Sequence, residues 1–483
     1  MRILRSLGAA GSLAALLLAG CTVGPNYHRP SAATAPSWQE NVIPPPNGTW
    51  KEAEPSDAVL RGKWWEMYGD PQLSSLEEKV AVSNQTLRAA MEQYFQAVEQ
   101  VRVARSQYYP TLSAGPSAQR TRLSENEPTT VSNLTTFQYN TFSLGAQAQW
   151  EPDLWGQVRR TVEESRANAQ ASAALLANVE LSVRTELASD YFELRGMDSQ
   201  KQLLDTTVKS YQDYLKLTEI RFKGGVATEA DVALAQTQLE TTQAQDIDVG
   251  VARAQYEHAI ATLIGVPASS FSLPLMPLGN DIPQIPVGVP SQLLERRPDI
   301  AAAERQIDAA NAQIGIAISA YYPNVSLLGT GGFLSGQPGT LIQGPSEMWS
   351  LGASATELLF DAGRRHAFTQ QARDVYQQQV ANYRQTVLSA FEDVEDNLAA
   401  LRILDRESVA QAQAVASAEN SLQINTTLYK EGATTYLTVL TAQTVQLSNQ
   451  RTQEDIATRQ FVASVQLIRA LGGGWNTSQL PKL

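Results

Sequence analysis

The sequence predicts a mostly α-helical chain with a minority of membrane-barrel strands, built by internal duplication. Three observations carry that reading. Proline is absent from 153 to 266 and again from 346 to 480, and spans that avoid helix breakers for so long are helical. A set of residues recurs at an offset of 207: Ser143-Leu144-Gly145-Ala146 returns as Ser350-Leu351-Gly352-Ala353, Gly156 as Gly363, Lys223 as Lys430, Gly225 as Gly432 and Gly265 as Gly472. Such self-similarity marks a repeated structural unit. Finally, four short segments alternate apolar residues with small or polar ones, the period of a strand with two unlike faces.

Composition narrows the function classes. The 483 residues are 18% charged with a net charge of -12, and mean hydropathy is -0.24, so the chain is neither a disordered polyelectrolyte nor a polytopic helical membrane protein. No basic domain or stripe exists to bind nucleic acid. One cysteine and three scattered histidines (His28, His258, His366) exclude a disulfide framework and make a histidine-built metal site unsupported. Walker A, His-Glu-x-x-His, Gly-x-Ser-x-Gly and Cys-x-x-Cys patterns are missing, so no enzyme, cofactor or metal chemistry is expected.

The elements follow in order. Residues 1–20 have a basic start (Arg2, Arg5) and a short apolar run ending in small residues, the pattern of a secretory signal. Leu18-Ala19-Gly20-Cys21 has the form of a lipobox, which makes Cys21 the lipidated first mature residue. Without Arg2 and Arg5 the net charge becomes -12 - 2 = -14. Residues 22–60 hold Pro25, Pro30, Pro36, Pro44, Pro45, Pro46 and Pro55 and run extended, within a lipid-anchored N-terminal segment and equatorial region expected over 21–70. The first repeat is expected over 71–265 (helix, β-hairpin 108–152, long helix, helix), a linker over 266–290, the second repeat over 291–472 with its β-hairpin at 321–360, and a tail over 473–483. Residues 364–431 contain neither Gly nor Pro; as one helix they extend about 100 Å. Tyr376, Val380, Tyr383, Val387, Phe391, Val394, Leu398 and Leu401 form a seam at steps of three and four, a packing core. Glu392-Asp393 and Glu395-Asp396 read as a solvated or lumen-facing helix face.

In the strands Leu144, Ala146, Ala148 and Trp150 alternate with Gly145, Gln147 and Gln149, and Trp349, Leu351, Ala353 and Ala355 with Ser350, Gly352, Ser354 and Thr356. Apolar outside and small or polar inside suits a barrel around a wet lumen, with Trp150, Trp155 and Trp349 as interfacial anchors. Four strands cannot close a barrel, so the chain must assemble. A dimer gives a filled lumen of eight strands and a trimer an open one of twelve, and the small inward residues favour the trimer. Segment 115–140, longer than its counterpart 331–348, is expected to be the exposed extracellular loop.

Cys21-Thr22-Val23-Gly24-Pro25-Asn26-Tyr27, Trp64-Trp65, Tyr68-Gly69-Asp70-Pro71 with Leu73, the paired Tyr-Tyr-Pro motifs (Tyr108-Tyr109-Pro110, Tyr321-Tyr322-Pro323) and the paired Lys-x-Gly turns together resemble the outer membrane factor (TolC-like) family, in its lipoprotein branch of drug and metal efflux systems. The resemblance implies a homotrimer with a 12-stranded outer-membrane barrel and a long periplasmic α-helical barrel. A mixed girdle would surround its middle, holding the termini and the 267–290 linker. It implies a passive exit duct for drugs or small toxic compounds, served by a periplasmic adaptor protein and an inner-membrane pump of the RND type, with outer-membrane lipid around it. A type I protein-secretion conduit of the same family and a structural coiled-coil lipoprotein remain the alternatives. The five mature methionines (Met67, Met91, Met197, Met276, Met348) are scattered, which places organic substrates ahead of soft metals.

The helix breaks Lys223, Gly224, Gly225, Val226, Ala227 and Lys430, Gly432, Ala433, Thr434 are the periplasmic turns, which in the family close the duct and meet the adaptor. The aspartates that commonly follow the second turn are absent; Thr434, Thr438 and Thr441 stand in such places. The expected gate is therefore Tyr429 with neutral hydrogen bonds, helped at most by Glu229 or Asp231.

Overall fold

The computed structural model describes residues 22–35, 37–40, 62–124, 138–279, 281–285, 287 and 292–482. The expected signal sequence and Cys21 lie outside the described residues. After a short turn at Trp64–Tyr68 come α1 (Pro71–Ser83), α2 (Gln85–Ser106), β1 (Thr111–Arg122), β2 (Gln138–Trp150), α3 (Gln157–Lys223) and α4 (Glu229–Leu263). A single helical turn at Leu293–Arg296 leads into α5 (Pro298–Ser319), β3 (Asn324–Ser335), β4 (Glu347–Thr356), α6 (Arg364–Lys430) and α7 (Tyr436–Ala470). Corresponding helices have equal lengths: 22 residues in α2 and α5, 67 in α3 and α6, 35 in α4 and α7.

Those lengths set the shape. A 67-residue helix spans about 100 Å. The strands feed the N-terminal ends of α3 and α6, and the turns into α4 and α7 leave their C-terminal ends, so sheet and turns lie at opposite extremes. Helices α4 and α7 return only about 50 Å, and α2 and α5 cover about 33 Å on the sheet side. The core fills the level where these shorter helices meet.

There Trp64, Trp65, Leu73, Leu76 and Val80 pack against Leu187, Tyr191 and Leu194 of α3, Ile260 of α4, and Phe461, Val465 and Ile468 of α7. Asp70 organises the entry. One carboxylate oxygen accepts the Gln72 and Leu73 amides at 2.8 and 3.1 Å, capping α1, and the other accepts the Tyr191 hydroxyl at 2.5 Å. Pro71 sits in the first turn, where a missing N–H costs nothing. The one glycine inside α3, Gly196, is explained by packing: a Cβ there would run into Thr458 of α7.

The linker is sewn to the same level. Arg195, 1% exposed, donates to the Pro274 carbonyl at 2.8 Å, and Arg253 donates to the Leu273 carbonyl at 2.7 Å. Asp198 pairs with both guanidinium groups and accepts the Met276 amide at 3.0 Å. Each buried charge thus has a partner, which its desolvation requires. The seam of α6 is also as expected: Val380, Tyr383 and Val387 pack on Ile300 and Ile307, and Val394 and Leu398 on Leu293 and Leu467.

Two expectations need correction. The segment 115–140 is not all loop, since β1 continues to Arg122 and β2 begins at Gln138. The charged residues of the segment, Arg120 and Arg122 among them, suggested a loop, but these two stand on the end of the strand. Residues 125–137 lie outside the described residues. Nor are the acids of α6 simply solvated: Asp393 pairs with Arg297 at 3.0 Å, and Glu395 accepts the Gln39 and Glu40 amides at 2.8 and 3.0 Å. Among the described residues no helix is long and apolar enough to cross a membrane.

Candidate functional site

At one end the four strands form an antiparallel sheet in the order β1-β2-β3-β4. The register aligns Ala114 with Ala146, Trp150 with Leu327, and Leu351 with Gly329. One face therefore carries Leu112, Leu144, Trp150, Leu327, Phe333, Trp349 and Leu351. Trp349 is 78% and Leu351 80% exposed, a face suited to lipid. The opposite face carries paired hydroxyls: Ser117 with Ser143 at 2.7 Å, Ser326 with Ser354 at 2.9 Å and Thr330 with Ser350 at 2.9 Å. Among the described strand residues this face holds no Asp, Glu, Lys or Arg, and its apolar exceptions include Leu328 and Leu334. Among the described residues, strands β1 and β4 each pair on one side only.

Two of the three tryptophans expected as anchors make specific contacts. Trp150 donates Nε1–H to the Tyr108 carbonyl at 3.1 Å, and Trp155 donates to the Pro323 carbonyl at 2.8 Å while stacking on Tyr322. Each thereby ties a Tyr-Tyr-Pro motif to the foot of the sheet.

From that foot an extended strap runs from Thr22 to Glu40. The Val23 amide donates to the Trp155 carbonyl at 3.1 Å, and buried Arg160 donates to the Val23 and Gly24 carbonyls, each at 3.2 Å. Asn311 holds the Pro25 carbonyl, Glu304 takes Tyr27 and Arg29, and Arg384 reaches the Ser31 carbonyl. Burial, then the Glu304 charge, pushes the Tyr27 phenol up. The strap ends where Glu395 receives two amides and Arg402 pairs with Glu40.

The far end consists of two turns of one geometry. Gly225 (φ 75°) and Gly432 (φ 81°) take the left-handed conformation. Val226 donates to the Arg221 carbonyl and Gly225 to that of Phe222; Ala433 and Gly432 do the same to Leu428 and Tyr429. Both are complete Schellman stops. Lys223, Gly224, Val226 and Lys430 are exposed, with Ala227 and Thr434 half-buried.

Behind the turns Tyr429, 3% exposed, packs edge-on against Tyr436, together with Val439 and Ala235. Burial pushes the Tyr436 phenol up. The Arg221 guanidinium lies 4.6 Å over the Tyr429 ring and donates to the Lys430 carbonyl at 2.9 Å, joining the first turn to the second. The Tyr429 hydroxyl and Arg221 Nε are buried without partners among the described residues.

The other expected gate residues separate. Asp231 is consumed by the capping box of α4, accepting from the Thr228 amide and hydroxyl at 2.9 Å each, and Glu229 stands exposed. Thr434 donates to Thr438 at 3.1 Å, and Thr441 bonds back to the Leu437 carbonyl. Thr438 and Thr441 line an open groove of about 400 Å³ between α6 and α7. Arg221 was missed by sequence reasoning because its partner is a backbone carbonyl 209 residues away. Only its place in the last turn of α3, beside a helix stop, gave any signal.

A sheet with one lipid-suited and one hydroxyl face, carried on helices about 100 Å long, suits the wall of a channel that pierces a membrane and continues far beyond it. The comparisons agree. The profile described as Outer membrane efflux protein matches residues 76–266 and 289–473. The chain is 30% identical over 467 residues to the probable efflux pump outer membrane protein TtgC of Pseudomonas putida, covering 96% of this chain and 95% of that one. It is also 30% identical over 466 residues to the cation efflux system protein CusC of Escherichia coli O6:H1, covering 95% and 97%. The solved outer-membrane channel OprN superposes with a TM-score of 0.84 at 29% identity, over 94% of this chain and 100% of that one. The chain belongs to the outer membrane efflux protein family: it is an outer-membrane channel component of an efflux system and not an enzyme.

Proposed function

We propose that three copies close a 12-stranded barrel and a continuous helical tunnel, giving organic, drug-like compounds a passive exit across periplasm and outer membrane. The observation that carries this reading is the two-faced sheet with both edges open, because an unpaired edge in lipid leaves backbone groups unsatisfied. The matched lengths of the two element series support descent from a duplicated unit. Cys21 is the lipid attachment site; its neighbour Thr22 lies against Gly156 at the foot of the sheet, where acyl chains reach the bilayer.

The turns are the resting closure and the docking point for a periplasmic adaptor, which links the channel to an RND-type pump. Tyr429 and Arg221 carry the closure, and their partnerless buried atoms are to be satisfied by neighbouring copies. Asp231, committed to its cap, is a poor member of an acidic ring, so divalent cations should block only weakly. Soft-metal cargo is disfavoured: Met197 and Met67 each pack against a separate core cluster, Met91 lies on α2 and Met276 in the linker, and Met348 is the one methionine on the inner face among the described strand residues.

A deletion strain tests the reading. It should become hypersensitive to hydrophobic antibiotics and solvents, with complementation by the wild type. Unchanged susceptibility with a loss of secreted protein would establish a secretion conduit instead, and no change in either would leave only a spacer.

A further inference from the structure

On the outward face of the sheet every strand changes character at the end far from the helices. Ala118 gives way to Arg120, Phe142 to Asn140, Phe333 to Ser335 and Trp349 to Glu347. The register places Ala118 opposite Phe142, Phe142 opposite Ser335, and Phe333 opposite Glu347. The change therefore steps by one residue pair from β2 to β3 and again from β3 to β4. Tilted strands need such a stagger to present a level edge to a membrane. Below it, Phe142 to Trp150 spans about 26 Å along the strand, or about 20 Å of membrane depth at the usual tilt. Three aromatics, Phe142, Phe333 and Trp349, sit just beneath the line, as an interfacial belt does.

Above the line β1 carries Arg120 and Arg122 on the same face, about 7 Å apart along the strand. They are the only Lys or Arg on that face among the described strand residues, in a chain of net charge -12. Arg120 donates Nη2–H to Gln138 Oε1 at 3.3 Å, and both arginines are exposed on an edge strand. Guanidinium groups at this depth lie too high for acyl chains and level with headgroups, and their planar forks match phosphate oxygens.

We propose that Arg120 and Arg122 form a binding site for the phosphate groups of outer-leaflet glycolipids, holding one such lipid against β1 of each copy. The site rests on the barrel reading and on the orientation that turns this end outward.

The test uses full-length protein purified from membranes, with native mass spectrometry and thermal unfolding in the presence of bis-phosphorylated lipid A or its dephosphorylated form. Wild type should retain lipid A and unfold at higher temperature with it, the dephosphorylated lipid should have little effect, and Arg120→Gln/Arg122→Gln should weaken binding at least 10-fold. Equal binding by the double variant, or by the dephosphorylated lipid, overturns the proposal. So does a lipid-independent loss of assembly in both the double variant and Glu347→Gln, which would mean that the arginines pair with Glu347 of an adjacent copy. Labelling of Ser124→Cys on intact cells by an impermeant reagent separates the two levels. Failure to label overturns the orientation itself, whereas labelling without lipid dependence overturns this site alone.

Discussion

The two turns are built on one backbone plan and differ in what lies behind it. At the offset of 207, Tyr429 corresponds to Phe222, Tyr436 to Glu229, and Thr438 to Asp231. Phe222 is 45% exposed and Val226 67%, whereas Tyr429 is 3% exposed and Tyr436 2%. The first turn is finished by a charged capping box at Thr228 and Asp231; the second begins at Thr435 with no side-chain cap. One turn is thus held by its own helix start and offers an apolar surface, and the other is held by aromatic packing and by Arg221 from its counterpart. A turn stabilised from outside itself is the one that can be released. On the closure proposed above, movement belongs to the second turn and attachment to the first.

That division can be broken experimentally. Tyr429→Ala should have the largest effect, removing about 3 kcal/mol of packing behind the second turn, and single-channel conductance in planar bilayers should rise severalfold. An unchanged conductance with a lowered melting temperature would make Tyr429 purely structural. Arg221→Ala should raise conductance less, since it forfeits one hydrogen bond and one cation–π contact, about 1–3 kcal/mol together. If it exceeds Tyr429→Ala, the closure is electrostatic and the contrast drawn here fails.

Thr438→Asp gives the second turn the box that the first possesses. It should stabilise that helix start by about 1 kcal/mol and slow amide exchange over 428–440. Faster exchange would show that the missing cap is not what distinguishes the turns.

Glu77→Gln is the distant control, with no expected change in conductance. Glu77 is fully buried 3.5 Å from Arg184, both its carboxylate oxygens lack a hydrogen-bond partner among the described residues, and burial pushes its pKa up to about 8. A raised folded pKa means that stability is complete below about 4.5 and declines as pH climbs through about 8. The variant should therefore melt a few degrees above wild type at pH 9, with the gap closing near pH 5. A pH-independent gap would place the cause in packing instead.

Much of this architecture is legible in the chain. The long helices and both turns follow from where Gly and Pro are withheld and where they return. The strands follow from alternation, although Arg120 and Arg122 disguised the upper end of β1 as loop. The central core was not legible beyond a resemblance, because Trp64 and Leu73 meet Phe461 across nearly 400 residues and no local period records such a meeting. The same holds for the Glu395 clasp, whose acceptors are matched by backbone amides without sequence signature. Arg221 shows the general limit: a side chain that bonds to a carbonyl places no demand on the identity of its partner.

The strap has one further consequence. Thr22 lies beside Gly156, the counterpart of Gly363 at the head of α6, and Glu40 reaches Arg402. Eighteen extended steps cover about 60 Å, while the rise of α6 from Arg364 to Glu395, whose carboxylate takes the Gln39 and Glu40 amides, is about 47 Å. The segment therefore follows α6 like a cord with about 13 Å in reserve. Removing two residues from it should leave every fastening in place, whereas removing five would shorten the cord below its span and unfasten one end, a limit that an ordinary surface linker of the same composition would not meet.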